Sequence, residues 1–265
     1  MKNLNNDGII DQYKNADNLN IRIALHKKYS VNKQGFGNWV FSHYQIGEGM
    51  SVLELGCGNG QMWLGKDEVI RRCSGLILSD LSEGMLKSAQ EKLRDQSGIE
   101  YRKIDIQDIP FADNEFDVVI ANMMLYHVPD LSHGLKEVKR VLKDDGTFYC
   151  ATYGENGMME YIEGLFDDFS IGNNRNYSFT LQNGEEKLSR YFPNVTKLLY
   201  EDALEVSDVG DMVAYICSLP GFSDLKDLPQ ETLRSVLEKN MRDGVLRVPK
   251  DYGMFVVREV NGTRI

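Results

Sequence analysis

The sequence is poor in cysteine and has no long apolar run. Its four cysteines, Cys57, Cys73, Cys150 and Cys217, form no Cys-x-x-Cys pair, which argues against a cysteine metal site or a disulfide framework. No apolar run approaches the ~20 residues of a membrane span, and the polar amino terminus lacks the apolar core of a signal peptide. We therefore expect a cytoplasmic protein with no metal site and no membrane insertion.

The chain also has fewer basic than acidic residues. The chain has 30 Lys and Arg against 40 Asp and Glu, a formal net charge of −10, and the acids are concentrated in 201–231. A chain of this charge is repelled by phosphate backbones, so we expect no nucleic-acid partner. With 265 residues, 42% of them hydrophobic, the chain is long enough for one large domain or a domain with a cap.

The first part of the chain alternates between strand and helix patterns. Helices are predicted after a Ser82 cap and after an Asp130 cap, the second continuing to Asp145-Gly146. This alternation predicts a doubly wound, mostly parallel sheet. The predicted strands are Ser51–Leu55, Leu76–Ser79, Ile99–Ile104, Phe116–Ala121 and Thr147–Thr152.

After Thr152 the pattern becomes mainly helical. We expect an N-terminal helical lid at 1–44, an α/β core at 45–153, and a helical cap with the final strands at 154–265. The elements predicted there are helices at Glu155–Phe169, Asn183–Phe192, Asp208–Ser218 and Leu228–Met241, and strands at Val195–Tyr200 and Met254–Val260.

The most informative motif is Gly56-Cys57-Gly58-Asn59-Gly60, directly after the first strand. Glycines allow a tight turn and a close approach of a ligand to the backbone. The spacing is Gly-x-Gly-x-Gly, whereas a dinucleotide fingerprint needs glycine at position 61, which is Gln61. A strand-to-helix turn without a ligand is the alternative.

Polar residues follow the next three strands. Asp80, after the second strand, can accept hydrogen bonds from both hydroxyls of a ribose. Asp105, after the third, can accept from an exocyclic amine, although it could instead cap a loop. Asn122, Tyr126 and His127 follow the fourth strand and would emerge beside the same crevice.

Together these segments resemble the class I S-adenosylmethionine-dependent methyltransferases, in particular the small-molecule branch related to the ubiquinone/menaquinone methyltransferases, with a methyltransferase type 11-like domain. The resemblance covers about 45–152, and its segments are Val52–Gly60, Leu78–Leu86, Ile109–Val119 and Leu135–Gly146. It implies a Rossmann-like sheet of seven strands with an antiparallel last strand, and transfer of a methyl group to an N, O or C atom of a small molecule.

The resemblance also implies roles for individual residues toward S-adenosylmethionine. Gly56, Gly58 and Gly60 would lie against the methionine moiety, with Cys57 in the same loop and not a nucleophile. Glu54 would lie near the ammonium, and Asn122 beside the methionine moiety. Asp80 would hold the ribose, Leu81 would pack on adenine, and Asp105 and Ile106 would bind it.

The residues that would bind the methyl acceptor are less clearly indicated by the sequence. His127 is a candidate general base or a structural residue of the turn, and Tyr126 could bind the acceptor or simply pack. Tyr29 is expected in a lid over the cofactor. A homodimer is compatible with the sequence. The alternatives are a nicotinamide-dependent oxidoreductase and a non-catalytic, methyltransferase-like protein that binds the cofactor.

Overall fold

The computed structural model describes residues 16–169, 176–219 and 223–258. Its strands are β1 (Ser51–Leu55), β2 (Gly75–Asp80), β3 (Ile99–Lys103), β4 (Phe116–Ile120), β5 (Leu142–Tyr153), β6 (Asn194–Val206) and β7 (Leu246–Arg258). The helices are α1 (Ala16–Tyr29), α2 (Phe36–Ser42), α3 (Asp67–Arg72), α4 (Glu83–Lys92), α5 (Leu131–Val141), α6 (Met158–Leu165), α7 (Gly184–Ser189), α8 (Val209–Ser218), α9 (Ser223–Lys226) and α10 (Gln230–Lys239).

The seven strands form one sheet in the order β3-β2-β1-β4-β5-β7-β6. β1 pairs in parallel with β2 and β4, and the parallel pairing continues to β3 on one side and β5 on the other. The last strand, β7, is inserted between β5 and β6 and runs antiparallel. The Rossmann-like, mostly parallel sheet of seven strands expected from the sequence is therefore confirmed, whereas the N-terminal lid and the helical cap stay predictions.

Burial of their side chains explains why the first strands could be predicted from the sequence. Val52, Leu53 and Leu55 of β1 are all buried, so the strand is apolar on both faces, as parallel strands covered by helices are. The predicted caps are confirmed as well. The Ser82 hydroxyl accepts from the Met85 amide, and the Asp130 carboxylate from the His133 amide.

Several predicted boundaries are wrong. The helix capped by Asp130 ends at Val141 instead of Asp145-Gly146, because Leu142 already pairs with Phe116 of β4. The helix expected at Glu155–Phe169 begins at Met158 and ends at Leu165, before a short 3-10 turn at Asp167–Phe169.

The last two strands are longer than expected. β6 runs to Val206 and β7 begins at Leu246, eight residues before the predicted start at Met254. Polar residues in the middle of β7 hide its first half in the sequence pattern. The predicted end of this strand, Val260, lies outside the described residues.

The described residues divide into two compact units, each with its own core. The glycine-loop unit comprises the described parts of 37–153, 178–199 and 253–265, and its core includes Leu53, Val119 and Phe148. The helical unit comprises the described parts of 1–36, 154–177 and 200–252, and its core includes Ile162 and Ile216.

Within the described ranges, no helix is long and apolar enough to cross a membrane.

Candidate cofactor site

The glycine loop lies at the carboxyl end of β1, and all three of its glycines have positive φ: 71° at Gly56, 57° at Gly58 and 73° at Gly60. A Cβ at Gly60 would lie 2.9 Å from Leu93 Cδ1, and one at Gly56 would lie 2.9 Å from Met124 Cγ. A Cβ at Gly58 would meet no atom within 4 Å. The middle of the loop is thus open, so a ligand can approach the backbone there.

Asp80 is joined directly to this loop. Its Oδ2 accepts from the Gly58 amide at 2.9 Å, and its Oδ1 accepts from the Ser82 amide at 2.8 Å. Burial raises the pKa of Asp80, and these amide donors oppose that rise. The structure therefore brings Gly58 and Asp80, two predicted site residues, together. Leu81, the next residue in the chain, is half-buried.

Glu54 is buried in β1, with a relative exposure of 2%. Its Oε2 accepts from the Trp63 indole nitrogen at 2.5 Å, and the Asn122 side chain also hydrogen-bonds its carboxylate. Burial raises the pKa of Glu54 to about 7, against the lowering effect of these two donors, and the nearby Asp80 charge contributes to the rise. Glu54 is an acidic group able to receive a cationic ligand.

Asn122 lies just after β4 and links Tyr44, which precedes β1, to Ala151 of β5. Its Nδ2 donates to the Tyr44 hydroxyl at 2.6 Å, and its Oδ1 accepts from the Ala151 amide at 3.2 Å. The next residue, Met123, has φ of 53°, a left-handed conformation that is uncommon outside glycine. Such backbone strain is concentrated at functional sites.

Trp63 and Tyr44 were missed by sequence reasoning. Trp63 lies on a 3-10 turn, Gln61–Trp63, directly after the glycine loop, and its side chain is fully buried. Tyr44 precedes β1. An aromatic residue just after a glycine loop was a usable signal for Trp63, whereas nothing in the local pattern around Tyr44 indicates its contact with Asn122.

Asp105 and Ile106 follow β3. The Asp105 carboxylate accepts from the Gln107 amide at 2.9 Å and from its side chain at 3.1 Å. Ile106 is buried against Gly134 of α5. The geometry holds the Asp105 side chain in one orientation. Its role toward adenine stays a prediction.

Tyr126 and His127 lie on the 3-10 turn Leu125–His127 after β4. Their rings are 4.5 Å apart, and the Tyr126 ring is 4.6 Å from that of Tyr153. Burial lowers the pKa of His127 to about 4, so its imidazole is neutral at neutral pH. The neutral imidazole beside the Tyr126 ring can accept a proton, but its lowered pKa makes it a weaker base than an ordinary histidine.

Cys57 and Tyr29 complete the predicted set. Burial raises the pKa of the Cys57 thiol, so the thiol is protonated at neutral pH. That Cys57 is not a nucleophile stays a prediction. Tyr29 belongs to the helical unit, where it is buried and its hydroxyl donates to Asp211 Oδ2 at 2.7 Å. A lid role for Tyr29 stays a prediction.

A model of the methyltransferase domain family matches residues 53–150. The demethylmenaquinone methyltransferase of Staphylococcus carnosus is 33% identical over 51% of this chain and 54% of its own length. That of Bacillus licheniformis is 28% identical over 72% and 83%. The chain thus spans about half the length of the first of these curated relatives.

Solved structures with the same fold include the YcgJ protein of Bacillus subtilis, with a TM-score of 0.60 at 14% identity over 85% of this chain and 98% of that one. A putative methyltransferase of Bacillus halodurans gives 0.59 at 16% identity over 84% and 98%. The strand order of this chain is that of the Rossmann-like fold of these structures. Residues 53–150 are thus similar to the methyltransferase domain family, and about half of the chain is similar to quinone methyltransferases.

Proposed function

We propose that this protein transfers a methyl group from S-adenosylmethionine to a small molecule. The observation that carries the proposal is the assembly of Glu54, Gly58 and Asp80 at the carboxyl ends of β1 and β2. In open α/β sheets, ligands bind in the crevice outside these strand ends.

In this proposal each residue meets a different part of the cofactor. The Asp80 carboxylate accepts from the ribose hydroxyls with the lone pairs that Gly58 and Ser82 do not use. Glu54 receives the ammonium of the methionine moiety, and the open backbone at Gly58 lets that moiety approach. The predicted adenine contacts are Leu81, Asp105 and Ile106.

When bound, the cofactor supplies a methyl group activated by a positively charged sulfur. The protein's part is to hold the acceptor in line with that methyl group and to exclude water. His127 is the candidate proton acceptor, since its imidazole is neutral at neutral pH, and Tyr126 is the candidate surface for an aromatic acceptor.

The names of the relatives suggest the first acceptors to test. Because they are demethylmenaquinone methyltransferases, we propose a quinol as one candidate acceptor among small aromatic molecules. A cytoplasmic location, a homodimer and the absence of a nucleic-acid partner stay predictions.

Calorimetric titration tests the cofactor assignment. We expect S-adenosylmethionine and S-adenosylhomocysteine to bind and NADH not to bind. Asp80→Ala should weaken binding at least tenfold, about 1.4 kcal/mol, whereas the exposed Asp95→Ala should leave it unchanged. Binding of NADH alone would favour the oxidoreductase, and full binding by Asp80→Ala would overturn the site.

An acceptor screen with a labelled methyl donor tests turnover. We expect transfer to at least one small aromatic molecule, and a fall in kcat of about 100-fold in His127→Gln, with cofactor affinity unchanged. Cofactor binding without transfer to any acceptor would favour the non-catalytic alternative.

A further inference from the structure

Four side chains form a continuous hydrogen-bonded chain across the glycine-loop unit. The Trp63 indole donates to Glu54 Oε2 at 2.5 Å, the Asn122 amide hydrogen-bonds Glu54, and Asn122 Nδ2 donates to the Tyr44 hydroxyl at 2.6 Å. Because Asn122 Oδ1 accepts from the Ala151 amide, the amide group can be oriented in one way only. Both Asn122 protons are therefore assigned, one to Glu54 and one to Tyr44.

The Tyr44 hydroxyl acts as acceptor in this chain, so its own proton is not used by Asn122. Among the residues that the structure describes, its hydroxyl has no hydrogen bond besides the one from Asn122. Burial raises the pKa of Tyr44 well above its ordinary value, with a further contribution from the Glu54 charge. The hydroxyl is thus a protonated donor, and Tyr44 as a whole residue is half-buried.

Neighbouring rings hold Tyr44 in place before any ligand arrives. Its ring lies 4.9 Å from that of Tyr149 and 5.2 Å from that of Phe41. The Tyr149 hydroxyl accepts from the Gln45 amide at 2.9 Å, which fixes the chain next to Tyr44. Phe41 in turn packs edge-on against Trp63, at 5.6 Å between centroids. Both ends of the hydrogen-bonded chain are held by the same aromatic cluster.

We propose that Tyr44 binds the carboxylate of the cofactor's methionine moiety. An α-amino acid group presents an ammonium and a carboxylate on one carbon, so its site needs an acceptor and a donor side by side. Glu54 is the acceptor and Tyr44 the donor, and Asn122 bridges the two. This inference rests on the proposed function, because it assigns a residue to the same cofactor site.

Tyr44→Phe and two related ligands test the assignment. S-Adenosylhomocysteine carries the amino acid group, whereas 5′-methylthioadenosine has the adenosine and the thioether without it. We expect Tyr44→Phe to bind S-adenosylhomocysteine about 5- to 10-fold more weakly, the loss of one hydrogen bond to a charged group. Its affinity for 5′-methylthioadenosine should equal that of the wild type.

Tyr191→Phe is the matched control, since it removes a surface hydroxyl that hydrogen-bonds Ser132, and we expect it to bind both ligands as the wild type does. An equal loss of both ligands in Tyr44→Phe would show a structural role and overturn the inference, as would an unchanged affinity for S-adenosylhomocysteine. Failure of the wild type to bind either ligand would instead overturn the proposed function.

Discussion

The buried Glu54 carboxyl makes cofactor binding depend on pH. Its pKa is about 7 in the free protein, raised chiefly by burial. An ammonium ligand favours the ionised carboxylate, so affinity is highest above pH 7 and falls as Glu54 becomes protonated below it. With a pKa near 7, we expect the affinity for S-adenosylhomocysteine to be about tenfold lower at pH 6 than at its plateau.

Calorimetry between pH 6 and 8.5 measures this change directly. In Glu54→Gln we expect weaker binding without the pH dependence, because the neutral amide does not titrate. An affinity that stays constant across this range in the wild type would show that Glu54 does not face the ammonium.

Alanine substitutions at two glycines of the loop distinguish an effect on ligand binding from an effect on stability. Gly58→Ala places a methyl group where no atom lies within 4 Å, so we expect only backbone strain, about 1–2 kcal/mol of stability. Gly60→Ala adds a clash with Leu93 and should cost more, about 2–4 kcal/mol. Urea unfolding and ligand titration distinguish the two.

We expect Gly58→Ala to lose at least tenfold in affinity for S-adenosylhomocysteine, about 1.4 kcal/mol, because the added methyl group occupies the ligand's approach. Wild-type affinity in this variant would show that the ligand does not reach the middle of the loop.

At the scale of elements, a buried ion pair joins three parts of the helical unit. The Asp202 carboxylate of β6 pairs with Lys250 of β7, and it also accepts from the Ser30 hydroxyl and the Asn32 amide, just after α1. The exposures of the Lys250 and Asp202 side chains are 3% and 0%. Lys250→Met leaves the carboxylate buried without its cation, which should cost about 3–5 kcal/mol.

Urea unfolding measures this cost, and the double variant with Asp202→Asn is the matched control. Because the amide carries no charge to leave unpaired, we expect the double variant to recover part of the lost stability. A Lys250→Met protein within about 0.5 kcal/mol of the wild type would show that the pair does not hold these elements together.

The same ion pair explains why β7 could be predicted only in part. Sequence periodicity locates strands that are apolar on both faces, such as Ser51–Leu55, whose predicted bounds match the structure. The first half of β7 includes Lys250 and Asp251, which look like loop residues in the sequence. Lys250 is tolerated in the strand because Asp202, 48 positions earlier in the chain, neutralises it.

Prediction of the candidate site from the sequence is limited in the same way. Gly58 and Asp80 could be predicted because each follows directly after a strand, and strand ends meet at one edge of a parallel sheet. Tyr44 could not, because its partner Asn122 is 78 positions away and only the fold brings them together. Sequence spacing thus locates residues on strand ends, and misses those that reach the site from another segment.

At the scale of the whole molecule, each unit contains one half-buried histidine whose lowered pKa opposes protonation. His26 is in the helical unit and His127 in the glycine-loop unit. Burial lowers the pKa of each to about 4, and the Lys250 charge contributes at His26 while Asp202 opposes it. In the unfolded chain both histidines have an ordinary pKa near 6.5. Each of these histidines therefore makes the folded state sensitive to acid.

The sign of the effect follows from linkage. Between pH 6.5 and 4 these two histidines take up protons in the unfolded chain but not in the folded protein, so their contribution to stability is complete above pH 6.5 and is lost as pH falls toward 4. Glu54 acts in the opposite direction, because its raised pKa of about 7 lets the folded protein take up that proton first. Each histidine should contribute a loss of about 2 kcal/mol by pH 5. Urea unfolding at pH 8, 6.5, 5.8 and 5 measures the loss. We expect His26→Phe to lose less unfolding free energy than the wild type as pH falls. The substitution His133→Gln, at an exposed position, should leave the loss unchanged. The same loss of stability between pH 8 and pH 5 in the wild type and in His26→Phe would contradict the presence of this imidazole as a neutral group in the folded protein.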